Sequence, residues 1–379
     1  VLTILDADGN AATQTWDVTV IQDTTAPVVT GVEDGASYNL DVTITFDDGL
    51  ATLNGESFTN GDSVTAEGTY TLIVTDPVGN VTTVEFSIDK TAPTVKGVFE
   101  GGLYNEDVTI QFIEGTATLN EVAFTAGSTV SADGLYTLVV TDPAGNVTTV
   151  HFEIDKTAPV VTGVEDDAYY NTDRMITFNE GIATLNDASF TSGDSVTAEG
   201  SYMLVVTDLA GNVATVCFTI DKTAPVVTGV EDGGLYHADR VIAFNEGIAT
   251  LNGSPLATGS LVSTDGTYGL IVTDAAGNVT TVFFTIDTTA PVITGISSKT
   301  KLVRGVPLTI GISDALSGVD WSTLAVTINR KDVTSSMILT ADGFILPGNL
   351  IGKGDYTIVI AVCDRAGNRV EVKYVFKVK

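Results

Sequence analysis

Carboxylates that return at a fixed spacing are the residues of this chain best suited to chemistry. Asp89, Glu114 and Asp142 recur as Asp155, Glu180 and Asp208, and again as Asp221, Glu246 and Asp274, each step being 66 residues. A cluster of carboxylates with backbone oxygens nearby is what Ca²⁺ asks for, since it takes about 6–8 oxygen ligands. The expectation is therefore a cation at each junction, provided the fold brings a joint, a loop and a turn to one place. No single loop carries a calcium spacing of its own. Asp6-Ala7-Asp8-Gly9-Asn10 begins like an EF-hand loop, but Ala11 and Asp17 stand where a Gly and a Glu are needed.

Catalytic groups do not converge, and no enzyme activity is expected. The two histidines, His151 and His237, lie in different repeats and read as solvent-facing substitutions. Gly61-Asp62-Ser63 could present a nucleophile, yet it sits in a polar turn and its repeat holds no histidine. Lys90, Lys156 and Lys222 fall in the joints, away from core positions, so a lysine-to-asparagine crosslink is not expected. Asn80-Val-Thr, Asn146-Val-Thr and Asn278-Val-Thr are formal glycosylation sequons in turns and read as turn sequence. Cys217 and Cys363 lie in different repeats and read as strand residues.

What positions the acids is a tandem repeat. The stretch Asp142–Pro159 contains an Asp-x-x-Gly-Asn turn, an alternating strand and a Thr-Ala-Pro joint, and it returns at every boundary. The joint threonine falls at Thr25, Thr91, Thr157, Thr223 and Thr289. A fixed period of this length marks an array of small modules. The expected domains are 1–24, the closing hairpin of an incomplete module; 25–90, 91–156, 157–222 and 223–288, four equal modules; and 289–379, a longer basic one. Val1 already stands in a strand pattern, as expected of a piece of a longer chain.

Period-2 alternation and turn residues divide residues 25–90 into about seven short strands and no helix. They are Val28–Val32, Val42–Phe46, Ala51–Leu53, Glu56–Phe58, Ser63–Thr65, Tyr70–Thr75 and Val81–Ile88. Asn54-Gly55 predicts a two-residue hairpin turn. In the leading piece, Val1–Leu5 and Thr15–Ile21 read as two strands around the Asp6–Asn10 turn.

Charge is uneven. The chain carries −31 in all, but residues 289–379 hold 11 Lys and Arg against 7 Asp and Glu, leaving −35 on residues 1–288. So acidic a surface argues against nucleic acid as a partner and fits a self-repelling surface protein or one that collects cations. No apolar run reaches the roughly 20 residues of a membrane span, so no membrane insertion is expected.

A Gly-x-Tyr motif precedes the penultimate strand of each module, at Tyr70, Tyr136, Tyr202, Tyr268 and Tyr356. With the Thr-Ala-Pro joints and the turns Asp76–Asn80, Asp142–Asn146, Asp208–Asn212, Asp274–Asn278 and Asp364–Asn368, it carries a resemblance. The chain resembles tandem bacterial immunoglobulin-like domains of large secreted and cell-surface proteins. That resemblance implies an all-β fold, a tandem array of small Greek-key immunoglobulin-like β-sandwiches whose corner tyrosine returns its hydroxyl to the backbone. Short joints in which proline restricts its own φ and the preceding alanine predict a repeated orientation and an elongated rod. The expected role is a non-catalytic stalk or lattice segment at the bacterial cell surface, of the surface-layer or adhesin kind. Its expected partners are neighbouring copies, cell-wall polymers or a host or extracellular ligand. Two alternatives are the accessory region of a secreted polysaccharide-degrading enzyme and a subunit of a self-assembling extracellular filament. The last module departs from the pattern in its Ser313–Trp321 insertion and its basic end, as a differently charged capping module would.

Overall fold

A computed structural model describes all 379 residues. They pack as two compact units, one of Val1–Pro159 with Thr207–Ala214, the other of Val160–Val206 with Thr215–Lys379. Apart from two short 3₁₀ turns, every regular element is a strand.

In the first unit β1 (Leu2–Leu5) and β2 (Ala11–Gln14) form an isolated hairpin. The second strand starts immediately after the turn, not at Thr15 as the alternation suggested, because pairing begins at Leu5↔Ala11 and is used up at Leu2↔Gln14. Residues 25–90 then give β3 (Val29–Thr30), β4 (Ala36–Tyr38), β5 (Val42–Thr43), β6 (Thr45–Phe46), β7 (Leu50–Leu53), β8 (Glu56–Phe58), β9 (Ser63–Val64), β10 (Gly68–Thr75) and β11 (Val81–Ile88). One sheet runs β4-β11-β10-β7-β8; facing it are the pairs β3-β6 and β5-β9. Alternation decides which side is buried: Leu72 and Val74 of β10 and Val84, Phe86 and Ile88 of β11 point inward onto Val42, Ile44 and Phe46.

Two features depart from the sequence reading. The run Val42–Phe46 is two short strands, because it changes partner at Ile44: Val42 lies opposite Val64, whereas Phe46 lies opposite Val29. Ile44 itself is completely buried. In the fourth repeat the same run is one strand, Arg240–Phe244, flanked by both partners. Close approach fixes the glycine facing this run, since a Cβ on Gly31 would stand 2.1 Å from the Thr43 carbonyl oxygen.

The second departure is β4, which alternation over three residues could not announce. It pairs in parallel with β11, Phe86↔Ala36 to Ile88↔Tyr38. Three devices hold it there. Asp34 accepts the Glu85 N–H at 2.8 Å; Gly35, at φ 76°, donates to the Glu85 carbonyl; and the Tyr38 ring meets Phe86 edge-on while its hydroxyl accepts the Glu33 N–H.

The expected corner is present. Tyr70 stacks on Phe86 and donates its hydroxyl to the Ala66 carbonyl at 2.8 Å; Tyr136, Tyr202 and Tyr268 do the same to Ala132, Ala198 and Thr264. Asn54 and Gly55, at φ 49° and 86°, make the two-residue turn the sequence predicted. The five-stranded order is repeated around Gly134–Thr141 and Val147–Ile154, Gly200–Thr207 and Val213–Ile220, and Gly266–Thr273 and Val279–Ile286. These are immunoglobulin-like β-sandwich modules in tandem.

Residues 289–379 form a larger sandwich of two four-stranded sheets. One is Val292–Thr294, Leu308–Ser313, Gly343–Leu346 and Ile338–Thr340 in that order; the other is Lys331–Asp332, Val319–Ile328, Gly354–Asp364 and Arg369–Val378. Between them lie Phe344, Ile310, Ile358 and Ile360, all fully buried. Tyr356 keeps the corner position but accepts, taking the Gly352 N–H at 2.7 Å.

Candidate junction site

The Asp-x-x-Gly-Asn turn is built by its own aspartate. Asp142 takes the backbone N–H of Asn146 on one oxygen and the Asn146 side-chain amide on the other, both at 2.8 Å. Desolvation by burial works against ionisation of Asp142, but the bonds from the Asn146 amide and the turn's backbone N–H groups outweigh it and hold its carboxyl below the usual range. Asp76 and Asp208 are held low by the same balance.

Asn146 also links two modules. Its side-chain amide donates to the carbonyl oxygen of Asp89, in the preceding joint, at 2.7 Å. The bond recurs as Asn212 to Asp155, Asn278 to Asp221 and Asn368 to Asp287, at 2.7, 2.8 and 2.6 Å. At the leading boundary Asn80 reaches the Asp23 carbonyl at 3.2 Å. Two residues on, Thr148 donates to the Pro93 carbonyl at 2.6 Å, as Thr82 and Thr280 do to Pro27 and Pro225. The equivalent position of the third module is Ala214, which has no hydroxyl to give. These asparagines and threonines were visible as repeat letters; the asparagines' bond across the boundary and the threonines' bond to the proline at the start of their own module were not, because neither alternation nor turn preference concerns contacts 55 or 57 residues away.

The joint is fixed from the other side too. Asp89 accepts the Thr91 N–H, and Asp155 and Asp221 accept those of Thr157 and Thr223. Lys90 binds the Asp41 carboxylate and the Thr65 carbonyl; Lys156 pairs likewise with Asp107 and Lys222 with Asp173. So the joint lysines are ion-paired, half-exposed anchors. Asn39 faces the next module's turn, 3.4 Å from where a Cβ on Gly145 would stand, and His237 holds the equivalent position at the last boundary, its Nδ1 3.1 Å from the Ala366 carbonyl oxygen. His151 is exposed and meets Glu100 at 3.0 Å.

The structure places the acids singled out by spacing as follows. Asp89 and Asp142 are joined through Asn146, and Asp221 and Asp274 through Asn278. Asp155 and Asp208 are joined through Asn212. Glu114 is exposed in its loop; Glu180 and Glu246 are exposed as well and accept the side-chain amides of Asn179 and Asn245.

Three carboxylates do converge at the last boundary. Asp287, Asp314 and Asp364 present oxygens that all lie within 4.8 Å of one another. Asp287 is the joint residue 66 after Asp221, Asp364 opens the turn, and Asp314 follows Ser313, which pairs with Val292. In the fourth module Asn245 and Val226 exchange the matching bonds and Glu246 comes next, so Asp314 holds the Glu246 position. These are the same three positions at a boundary that the inserted Ser313–Trp321 loop disguised. Asp287 is fully buried; it accepts the Ser317 N–H at 3.0 Å and two bonds from Thr289. Burial opposes its ionisation, and the bonds from Ser317 and Thr289 prevail, keeping its carboxyl low.

No family model matches the chain. Hyalin of the sea urchin Strongylocentrotus purpuratus is 27% identical over 97% of this chain and 36% of its own length. The outer cell wall protein of Brevibacillus brevis is 32% identical over 39% of this chain and 16% of its length. The chain thus spans about a third and a sixth of those relatives. Among solved structures, the N-terminal eight immunoglobulin domains of Down syndrome cell adhesion molecule align over 94% of this chain and 61% of that one, at 11% identity and a TM-score of 0.25. The fold assignment rests on the strand order and the corner tyrosines.

Proposed function

We propose that this chain is a non-catalytic structural or adhesive segment of an extracellular bacterial surface protein, in which tandem sandwiches supply reach and their joints supply stiffness. The observation that carries the reading is the Asn-to-Asp backbone bond, made by equivalent residues at five boundaries. A flexible linker would need no such bond. Its partners are copies of the same protein, wall polymers or an extracellular ligand, and the likeness to an outer cell wall protein over 39% of the chain supports a surface location. Small-angle scattering tests the stiffness: the reading expects an extended particle whose maximum dimension is unchanged in about 1 M salt, and a freely jointed distribution of lengths refutes it.

The junction acids enter this reading as cation ligands. Ca²⁺ binds oxygens at about 2.3–2.6 Å, so ligand atoms around one ion stand about 3–5 Å apart, which the Asp287, Asp314 and Asp364 oxygens satisfy. We extend the same role, as a proposal, to Asp89, Glu114 and Asp142, to Asp155, Glu180 and Asp208, and to Asp221, Glu246 and Asp274. Melting curves in Ca²⁺ and in chelator test it. A shift in the full chain is expected, and D314N and D364N should each remove the part contributed by the last boundary; curves identical in Ca²⁺ and in chelator rule the cation out.

A further inference from the structure

We infer that the last module carries an open strand-acceptor groove, along the outer edge of Arg369–Val378, that binds an extended acidic peptide of a partner protein as an added parallel strand. In the first four modules this edge is filled. The closing strand of each has a three-residue parallel neighbour, at Ala36–Tyr38, Gly102–Tyr104, Ala168–Tyr170 and Gly234–Tyr236. In the last module Arg369–Val378 ends its sheet with no strand on that side.

Counted from the joint threonine, Thr300-Lys301-Leu302 is the segment that should pair there. Each device that holds β4 in place is missing from it. Ser298 stands where Asp34, Glu100, Asp166 and Asp232 accept a backbone N–H of the closing strand. Lys299 stands where Gly35, Gly101, Asp167 and Gly233 take φ between 58° and 76°, a region disfavoured for lysine. Leu302 replaces the tyrosine. Instead of a strand there is a cavity of about 630 Å³, lined on one side by Ser298, Thr300, Lys301 and Arg304 and on the other by Val375 to Lys379.

Register gives the groove its hydrogen-bonding groups. Along β11 and the residue that follows it, the outward-facing backbone groups belong to Glu85, which receives Gly35, and to Asp89, which donates to Tyr38. Through the corner pairs Tyr70↔Phe86 and Tyr356↔Phe376, the matching residues are Val375 and Lys379, with Lys377 between. Their free N–H and C=O groups are a template for strand addition, and Val375 is 67% exposed.

Charge selects the strand. Lys301, Arg304, Lys377 and Lys379 line the cavity and no acidic residue does. The natural occupants in the other modules descend from acidic turns such as Glu33-Asp34-Gly35. Those segments are consumed in their own sheets, so a folded second copy does not offer one. The partner is therefore an unpaired acidic segment.

The probe is a fluorescent peptide of residues 31–39, Gly-Val-Glu-Asp-Gly-Ala-Ser-Tyr-Asn, titrated into the full chain and read by anisotropy, with amide exchange of Val375 and Lys377 as the structural readout. Saturable binding is expected, weakened at least tenfold in the double variant K301E/K377E and when salt rises to about 0.5 M, with at least tenfold slower exchange at both amides. V375P should abolish binding while keeping the β-sheet circular dichroism, since a proline on the open side removes no bond to the neighbouring strand. Three results overturn the proposal: no binding, amides already protected without peptide, or heparin binding as tightly as the peptide and indifferent to V375P. The last would make the patch a polyanion site.

Discussion

Replacing Asn146 by alanine removes two bonds with one truncation. The amide gives one hydrogen bond to the Asp89 carbonyl at 2.7 Å and one to the Asp142 carboxylate at 2.8 Å. A neutral bond contributes about 0.5–1.5 kcal/mol and one to a charged group about 1.5–3 kcal/mol. Their sum is roughly 2–4 kcal/mol, against a stability of roughly 3–10 kcal/mol for a module of this size. The loss should be local, because the neighbouring modules keep their own asparagines. Amide exchange in the strand Val147–Ile154 is the assay, since a tandem array does not unfold in one step and a single melting temperature would blur it. At about 1.4 kcal/mol per decade, exchange there should quicken by roughly 30- to 1,000-fold, with the strand Val279–Ile286 unchanged. A change below threefold would show that water replaces the amide at both acceptors, and that the bond does not hold the boundary.

Ala214→Thr should restore the hydroxyl bond that Thr148 makes to Pro93 and stabilise the third module by about 0.5–1.5 kcal/mol; unchanged amide exchange there would refute it. Tyr136→Phe should cost about 1 kcal/mol by deleting the bond to the Ala132 carbonyl, read as faster exchange in the strand Gly134–Thr141. Acid should weaken the chain. The carboxyls of Asp76, Asp142, Asp208 and Asp287 titrate below the unfolded value of about 3.9, so the unfolded chain binds more protons in that window. Their stabilisation is complete above about pH 5 and is lost as pH falls through the folded values; a whole unfolding curve that is superimposable at about pH 5 and pH 2 would contradict this.

The sheets were legible where the chain repeats a two-residue period over a full strand. Val81–Ile88 alternates so regularly that its limits could be read directly, and Asn54-Gly55 marked a turn because few residue pairs accept two positive φ values. The three residues of β4 gave no such signal. Their strand depends on Asp34, Gly35 and Tyr38 acting together on a partner 50 residues away, which is a tertiary fact. The junction was half legible: the acids were found by their spacing, whereas Asn146 and Thr148 looked like turn and strand letters until the preceding joint was seen beside them. Asp314 was hidden by a length change that broke the 66-residue count.

The parallel pairing of β4 with β11 also sets how a module responds to force. β4 lies near the module's entry and β11 leads to its exit, so tension between the two ends slides these strands along each other. The bonds Gly35 to Glu85, Glu85 to Asp34 and Asp89 to Tyr38 then resist in shear and must break together, whereas a hairpin pulled from its open end unzips one bond at a time. The last module has no such clamp. Under tension its closing strand has only the Gly354–Asp364 neighbour to hold it, and on this count residues 289–379 yield before the four modules that precede them, as a mechanical fuse.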